Sequence, residues 1–450
     1  MKKTIFNITA VALLLGFASC SKEQGMSPII DEGKQTSLKL SLSFPNGPVT
    51  RATGDPNATD NEALVNRVDV YIYTGSGNFS SHTSLSASDF TQSTSTSSAD
   101  VYESISKIPT TTGAKRVYVG INLPSDVASG LVNQPESALA NVAQTMTLSA
   151  LTGATYESFA MFSVQAVASE FVEDEDAPAN QIKVECQRLV AKVTVETAAN
   201  LDTDALPGDV SNLTFAINNF NTKLFMLQGV TPYYKDPNWA NANFMASDFI
   251  PALAAEYVPV LDRSVISNPT VSQYNPRYAA ENTSELKRKK EITRATVRGE
   301  FIPSKITTGS AGNFTVINNP STTAETFYTV TPSVLDGTYF FTNLTAANAF
   351  ATEKGLNIAE DVITYQDGYS YWHIYLNKNP KSPQTSVNRW DVLRNDFYKC
   401  VITKIAGLGR NTPDIEEPET EETPEVDTNI TVEIDILFWH TPYVENYILS

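Results

Sequence analysis

Cysteine is almost missing from this chain: three in 450 residues, at Cys20, Cys186 and Cys400. Cys186 and Cys400 stand far apart in separate β-patterned runs, so they read better as buried thiols acting as small hydrophobes than as a disulfide or metal site. Histidine is just as scarce. His82, His373 and His440 share no spacing with cysteine or with one another, and no zinc template exists. Basic residues are outnumbered, 32 Lys and Arg against 50 Asp and Glu, giving a net charge of −18. Such a surface argues against nucleic acid and anionic lipid as partners. Phosphate loop, dinucleotide fingerprint and nucleophile elbow are all absent. The stretch DPNATDNEALVN at Asp55 fails as a calcium loop, because Asp60 takes the glycine position and Asn66 the bidentate glutamate position. No catalytic, cofactor-binding or metal-binding residue can therefore be named, and an enzyme is the weakest reading.

What is there begins with an address. Lys2 and Lys3 precede a short apolar run from Ile5 to Leu15 that is too short to span a bilayer comfortably. The run LLLGFASC resembles a bacterial lipobox, with Cys20 as the lipidated first residue after signal cleavage. Beyond it, period-2 runs dominate: VDVYIY at Val68, KRVYVGINLP at Lys115, QIKVECQRLVAKVTVE at Gln181, VSNLTFAI at Val210, ATVRGEFIP at Ala295, SYWHIYLN at Ser370 and FYKCVITKIAGLG at Phe397. Turn-rich segments separate them, which predicts a mainly β chain of sandwich or barrel type. One short helix is expected within 135–151, where Leu139, Val142 and Met146 fall at helical spacing. The phase slip near Gln187 and Arg188 predicts a β-bulge or local twist. The expected division is a signal peptide (1–20), a propeptide (21–51), a first domain (52–205), a second domain (206–411), an acidic linker (412–429) and a C-terminal arm (430–450). The basic cluster at 287–290, flanked by glutamates, reads as a solvated loop.

Two segments share one pattern. Near the start, Leu38, Leu40, Leu42 and Phe44 alternate with Ser37, Lys39, Ser41 and Ser43, which predicts an edge strand. Near the end, Val432, Ile434, Ile436 and Phe438 alternate with Thr431, Glu433, Asp435 and Leu437. The first strand is followed by a Pro/Gly/Asn-rich loop holding Arg51, the only Lys or Arg between Lys39 and Arg67. The second hangs behind a linker with eight acidic residues, three prolines and no basic residue. At ~3.1 Å per residue that linker reaches roughly 50 Å. Removing the first strand would open a groove with unpaired backbone edges, and an apolar strand from another molecule could add there. Four such side chains are worth ~6–12 kcal/mol gross. Because donor and acceptor surfaces differ, repetition gives an open filament.

At this point the chain resembles a known family, the fimbrial subunits of Bacteroidales, or type V pilins, typified by the Mfa1-like fimbrillins. The resemblance rests on the Cys20 lipobox, VTRA at Arg51, VNRVDVYIY from Val65, KRVYVGINLP, CQRLVAKVTVE from Cys186, TRATVRGEFIP, DGYSYWHIYL, LRNDFYKCVITKIAGLG from Leu393, and the arm with Trp439. It implies two tandem transthyretin-like β-sandwich domains and export as an outer-membrane lipoprotein precursor. An arginine-specific protease would then cut between Arg51 and Ala52, and copies would polymerise into a cell-surface fimbrium by donor-strand exchange. Leu38, Leu40, Leu42 and Phe44 are then the displaced strand, and residues 430–449 the donor region. Which part of that region, VEIDILF or YVENYIL, fills the groove stays open. The alternatives are a tip or accessory subunit, or a surface glycan-binding lipoprotein using aromatic runs such as TPYYKDPNW and SYWHIYL.

Overall fold

The computed structural model describes residues 33–44, 60–93, 101–228, 234–237, 249–251, 253–283, 291–331, 337–376, 390–414 and 429–439. Cys20, Arg51, Ala52, the basic cluster at 287–290, most of the acidic linker and residues 440–450 lie outside them. The first core is enclosed by strands β1 (Gln35–Ser43), β2 (Arg67–Thr74), β3 (Phe79–Ser86), β4 (Phe90–Ser93), β5 (Val101–Ser104), β6 (Ile108–Thr111), β7 (Gly113–Ile121), β8 (Met161–Ser163) and β9 (Gln181–Arg188). The second domain is built on β10 (Val190–Asp202), β11 (Gly208–Asn218), β12 (Arg277–Ala280), β13 (Arg294–Pro303), β14 (Tyr369–Tyr375), β15 (Asp396–Ile405) and β16 (Ile430–Phe438). The order in the first sheet is β3-β2-β7-β8-β9-β1-β5-β4, with β6 also pairing β1. Two four-stranded sheets make the second domain a sandwich: β12-β10-β15-β16, and Val258–Pro259 followed by β11-β13-β14. Val193, Val195, Phe215, Val297, Trp372 and Ile402 from both sheets meet in its core.

The chain passes between domains at the predicted phase slip. Ile182, Val184 and Cys186 point into the first core, whereas Ala191, Val193 and Val195 point into the second. The change of parity is thus a change of core rather than a bulge within one sheet. Residues 190–202 run in the second sheet, so a division at 205 cuts behind a strand that already belongs to the second domain. The single helix expected in 135–151 is also replaced. Short helices form at Ser125–Gly130, Ala138–Asn141 and Leu148–Thr152. Leu139 and Met146 are buried as expected, but Val142 is exposed, because the backbone turns extended there and ends the middle helix.

Cys186 and Cys400 are both buried, and neither is in a disulfide. Trp372, in the run read as a possible sugar platform, is fully buried and donates from its indole N–H to the Gly407 carbonyl at 3.0 Å. Beside it, the buried His373 ring turns Nδ1 toward Arg294 Nε at 3.3 Å and Thr296 Oγ1 at 3.2 Å. Burial first, then the charges of Arg294 and Arg410, hold its pKa well below the ordinary 6.5. The unfolded chain takes up a proton near pH 6.5 that the folded chain refuses, so stability falls as pH drops below that value. Thermal melts are expected to lose midpoint over this window, and His373→Gln to flatten the loss. An unchanged slope in the variant would remove His373 from the account.

Candidate functional site: a filled strand slot and the root of the arm

The removable strand of the sequence reading does form, but inside the sheet rather than at its edge. Residues 39–43 of β1 run parallel to 181–185 of β9. On the other side, residues 35–38 pair antiparallel with β6, and Ser41 and Leu42 pair with Glu103 and Tyr102 of β5. Between those partners, the Leu40 N–H donates to Ser104 Oγ at 3.0 Å, so a hydroxyl covers the gap where β5 ends. Alternation alone cannot tell an edge from an interior strand, because pairing uses backbone groups that every residue carries. The signal that could have helped is the other face: Ser37 and Ser43 are small and are buried too.

Leu38, Leu40 and Leu42 are fully buried in the first core, joined by Phe44, whose ring meets Tyr102 edge-on at 6.1 Å. At the strand's start the fully buried Asn180 donates from Nδ2 to Thr36 Oγ1 at 3.0 Å and to the Ser37 carbonyl at 2.9 Å. Lys34 pairs with Glu173 on the acidic loop. From the same stretch the Val172 carbonyl accepts from Thr36 Oγ1 at 2.7 Å, so residues 172–173 touch the start of β1.

At the other end of the chain, the expected free arm is a strand of its own domain. β16 pairs antiparallel with β15 from Ile430 to Phe438. Val432 is 9% exposed, and Ile434 and Ile436 pack half-buried on the second core, so this strand is held by its own side chains as well as its ladder. The side chain of Phe438 lies outside the described residues. Ile434→Asp is accordingly expected to destabilise the isolated second domain by about 1–3 kcal/mol, measured as a lower denaturation midpoint. A wild-type midpoint would mean that β16 contributes nothing to that core.

After β16 the chain is pinned by Trp439, which is fully buried and reaches into the first core from the end of a second-domain strand. Its indole N–H donates to Glu62 Oε2 at 3.0 Å and its backbone N–H to the Asn395 carbonyl at 3.2 Å. Its carbonyl accepts from Arg188 Nη1 at 3.2 Å, and the same guanidinium lies over the indole, 4.3 Å from the centroid. Tyr278 stacks on the indole at 5.5 Å and Phe159 meets it edge-on at 5.5 Å. Glu62 also accepts from Lys192 Nζ and from Tyr278 Oη, each at 2.7 Å. Burial alone would raise the Glu62 carboxyl, but the Lys192 and Arg188 charges hold it below its ordinary value. Burial lowers the Arg188 pKa to about 10, still well above neutrality. The junction is thus a buried carboxylate shared by two cations, and it ties together the segment that begins at Asp60, both domains and the root of the arm. Of this group the sequence names Trp439 in the arm and Arg188 at the phase slip, without joining them. The available signal was Arg188 and Lys192, two cations inside an otherwise apolar strand run.

A cleft of about 520 Å³ lies beside this junction, lined by Thr147, Tyr156, Phe220, Ile250, Arg277 and Tyr278 among others. Among the described residues no group of His, Cys, Asp or Glu is placed to hold a metal, and no helix is long and apolar enough to cross a membrane.

These features define a two-domain β-sandwich protein whose first core includes a strand, β1, joined to the next described residue through segment 45–59. Comparison with known proteins places it further. Residues 36–185 match the family described as major fimbrial subunit protein (FimA), and residues 363–444 match the family described as major fimbrial subunit protein type IV, fimbrillin, C-terminal. Together these cover more than half of the chain, and the protein belongs to the fimbrillin family of major fimbrial subunits. Similar solved structures include a fimbrillin (FimA) of Porphyromonas gingivalis, 15% identical, covering 91% of this chain and 98% of that one with a TM-score of 0.48. The tip fimbrial protein Mfa3 of the same organism is 13% identical, with 90% and 100% covered and a TM-score of 0.36. A fimbrial assembly protein of Parabacteroides distasonis is 12% identical, with 63% and 97% covered and a TM-score of 0.35. No curated protein sequence matches the chain.

Proposed function

We propose that this chain is a shaft subunit of a cell-surface fimbrium. In this reading it is exported as a lipoprotein precursor anchored at Cys20, cut between Arg51 and Ala52 by an arginine-specific protease, and polymerised head-to-tail by donor-strand exchange. One observation carries the reading: β1 fills an interior slot with four apolar side chains, yet is joined to the next described residue, Asp60, through the segment 45–59 that contains Arg51. An interior strand is a stronger case than an edge strand, because its departure leaves two unpaired backbone edges, on β9 and on β5 and β6. A donated strand regains both ladders, with alternate side chains supplying specificity.

The donor is narrowed by energetics. Lending Val432, Ile434, Ile436 and Phe438 to a neighbour would strip β15 of its partner and uncover part of the second core. Lending residues beyond Trp439 leaves the pairing of β16 with β15 in place. The reading therefore favours the YVENYIL part of the arm, 443–449, with β16 retained as its base.

The test is to cut the purified precursor with a trypsin-like protease and follow length by electron microscopy. Cleavage after Arg51 is expected to give filaments, and a chain ending at Trp439 to be cut normally yet remain short. Equally long filaments from the truncated chain would sink this donor assignment, and long filaments from uncut Arg51→Ala protein would sink the role of cleavage. The tip or accessory role needs a subunit that caps rather than extends, and the same micrographs distinguish it.

A further inference from the structure

The root of the C-terminal segment lies at the open end of the chain's own slot. Ser43, the last residue of β1, pairs with Glu185, and three residues further along the same strand Arg188 holds the Trp439 carbonyl. That distance is about 10 Å at a strand's rise. The side is also right. The first sheet flanks β9 with β8 on one side and β1 on the other. At the end of this strand the Leu189 N–H turns to the Ala160 carbonyl, on the β8 side. The next carbonyl, that of Val190, turns the opposite way and accepts from Asn395, whose own carbonyl accepts from Trp439. Trp439 and Phe397 are members of the same hydrophobic cluster as Leu38, Leu40, Leu42 and Phe44.

We infer that a mature subunit that has lost β1 closes on itself, its own residues 441–449 entering the vacated slot from the Phe44 end and running antiparallel to β9. This rests on the donor-strand reading above, and adds a competing occupant for the same groove. The chain beyond Trp439 is eleven residues long, which extended reaches about 36 Å. The stretch from Leu38 to Phe44 measures about 23 Å in a strand, so the segment covers the gap and the slot together. It carries Tyr443, Val444, Tyr447, Ile448 and Leu449 and no Lys or Arg. Tethered at Trp439, it meets the slot at an effective concentration set by the short span, far above that of free subunits in dilute solution. Self-closure would thus guard an exposed groove with two bare edges, and extension of the fibre would proceed by displacing the segment in favour of a neighbour's.

The experiment is hydrogen exchange with mass spectrometry on three samples of the full chain: uncut precursor, cleaved and β1-stripped monomer at nanomolar concentration, and filaments. The expected result is that amides of 441–449 exchange at least about tenfold more slowly in the dilute monomer than in the precursor, independent of concentration. Ile448→Asp, a substitution outside the described residues, is expected to abolish that protection while leaving the exchange of β10 and β15 unchanged. Equal, fast exchange in monomer and precursor with protection only in filaments would overturn self-closure and leave donor exchange standing. Protection already complete in the precursor would overturn it too, since β1 then occupies the slot. No protection in monomer or filament would overturn both readings.

Discussion

Leu40→Asp is expected to destabilise the uncut precursor by about 4 kcal/mol or more and to leave the assembled, mature subunit untouched. The first half follows from burial. Leu40 has no exposed surface, its neighbours Leu38 and Leu42 are equally enclosed, and all three belong to the first hydrophobic core. A carboxylate there is either ionised without a partner or forced neutral, and both cost several kcal/mol. The second half follows from the proposed function, in which β1 is absent from the mature molecule. Chemical denaturation of precursor and of cleaved, refilled subunits reads both. Most core substitutions harm every form of a protein, so an effect confined to the precursor is a specific outcome. Equal destabilisation of both forms would mean that β1 stays in place after cleavage, and the slot would then be an ordinary part of the core.

Much of this was legible in the sequence, and the limits have physical causes. Alternation located β1, β2, β7, β9 and β13 because a half-buried or fully buried strand must alternate side-chain direction whatever surrounds it. The same rule could not say which strands pair, and so β1 was assigned to an edge and β16 to a free arm. Pairing is a property of backbone groups that all residues share, and its signature in the sequence is faint, as in the small, buried Ser37 and Ser43. The domain division was displaced for a related reason. A strand that leaves one core and enters another keeps its pattern and changes only its parity, as at Leu189 and Val190. The junction was the least legible part. Glu62 lies in a polar run beside Asp60 and Asn61, and its partners are more than a hundred residues away.

That junction yields the other large effect. Glu62→Ala is expected to cost about 3–5 kcal/mol, because it leaves Arg188 and Lys192 buried without their shared counter-ion. Trp439→Ala should fall in the same range by opening a cavity in the first core, where the last strand of the second domain enters it. The more telling outcome is the shape of the transition. Glu62 stands before β2 in the first domain, Lys192 in the first strand of the second, and Trp439 at the end of the second, so the cluster couples the two cores. Calorimetry of the wild type is expected to show one cooperative unfolding event, and Glu62→Ala two, as each sandwich melts by itself. Combining Glu62→Gln with Lys192→Met should recover part of the loss, since Lys192 is removed with its counter-ion while Arg188 keeps its charge. Acid offers an independent route to the same state. The folded Glu62 carboxyl lies below its ordinary value of 4.5, so its contribution is complete above that value and is lost as pH falls beneath it. The wild type should then approach the two-step melting of Glu62→Ala as pH is lowered, whereas the Glu62→Gln, Lys192→Met chain should not change shape over the same window. A single transition in Glu62→Ala at neutral pH would show that the cores are coupled by packing alone, and that the carboxylate only neutralises the cations the strands bring with them.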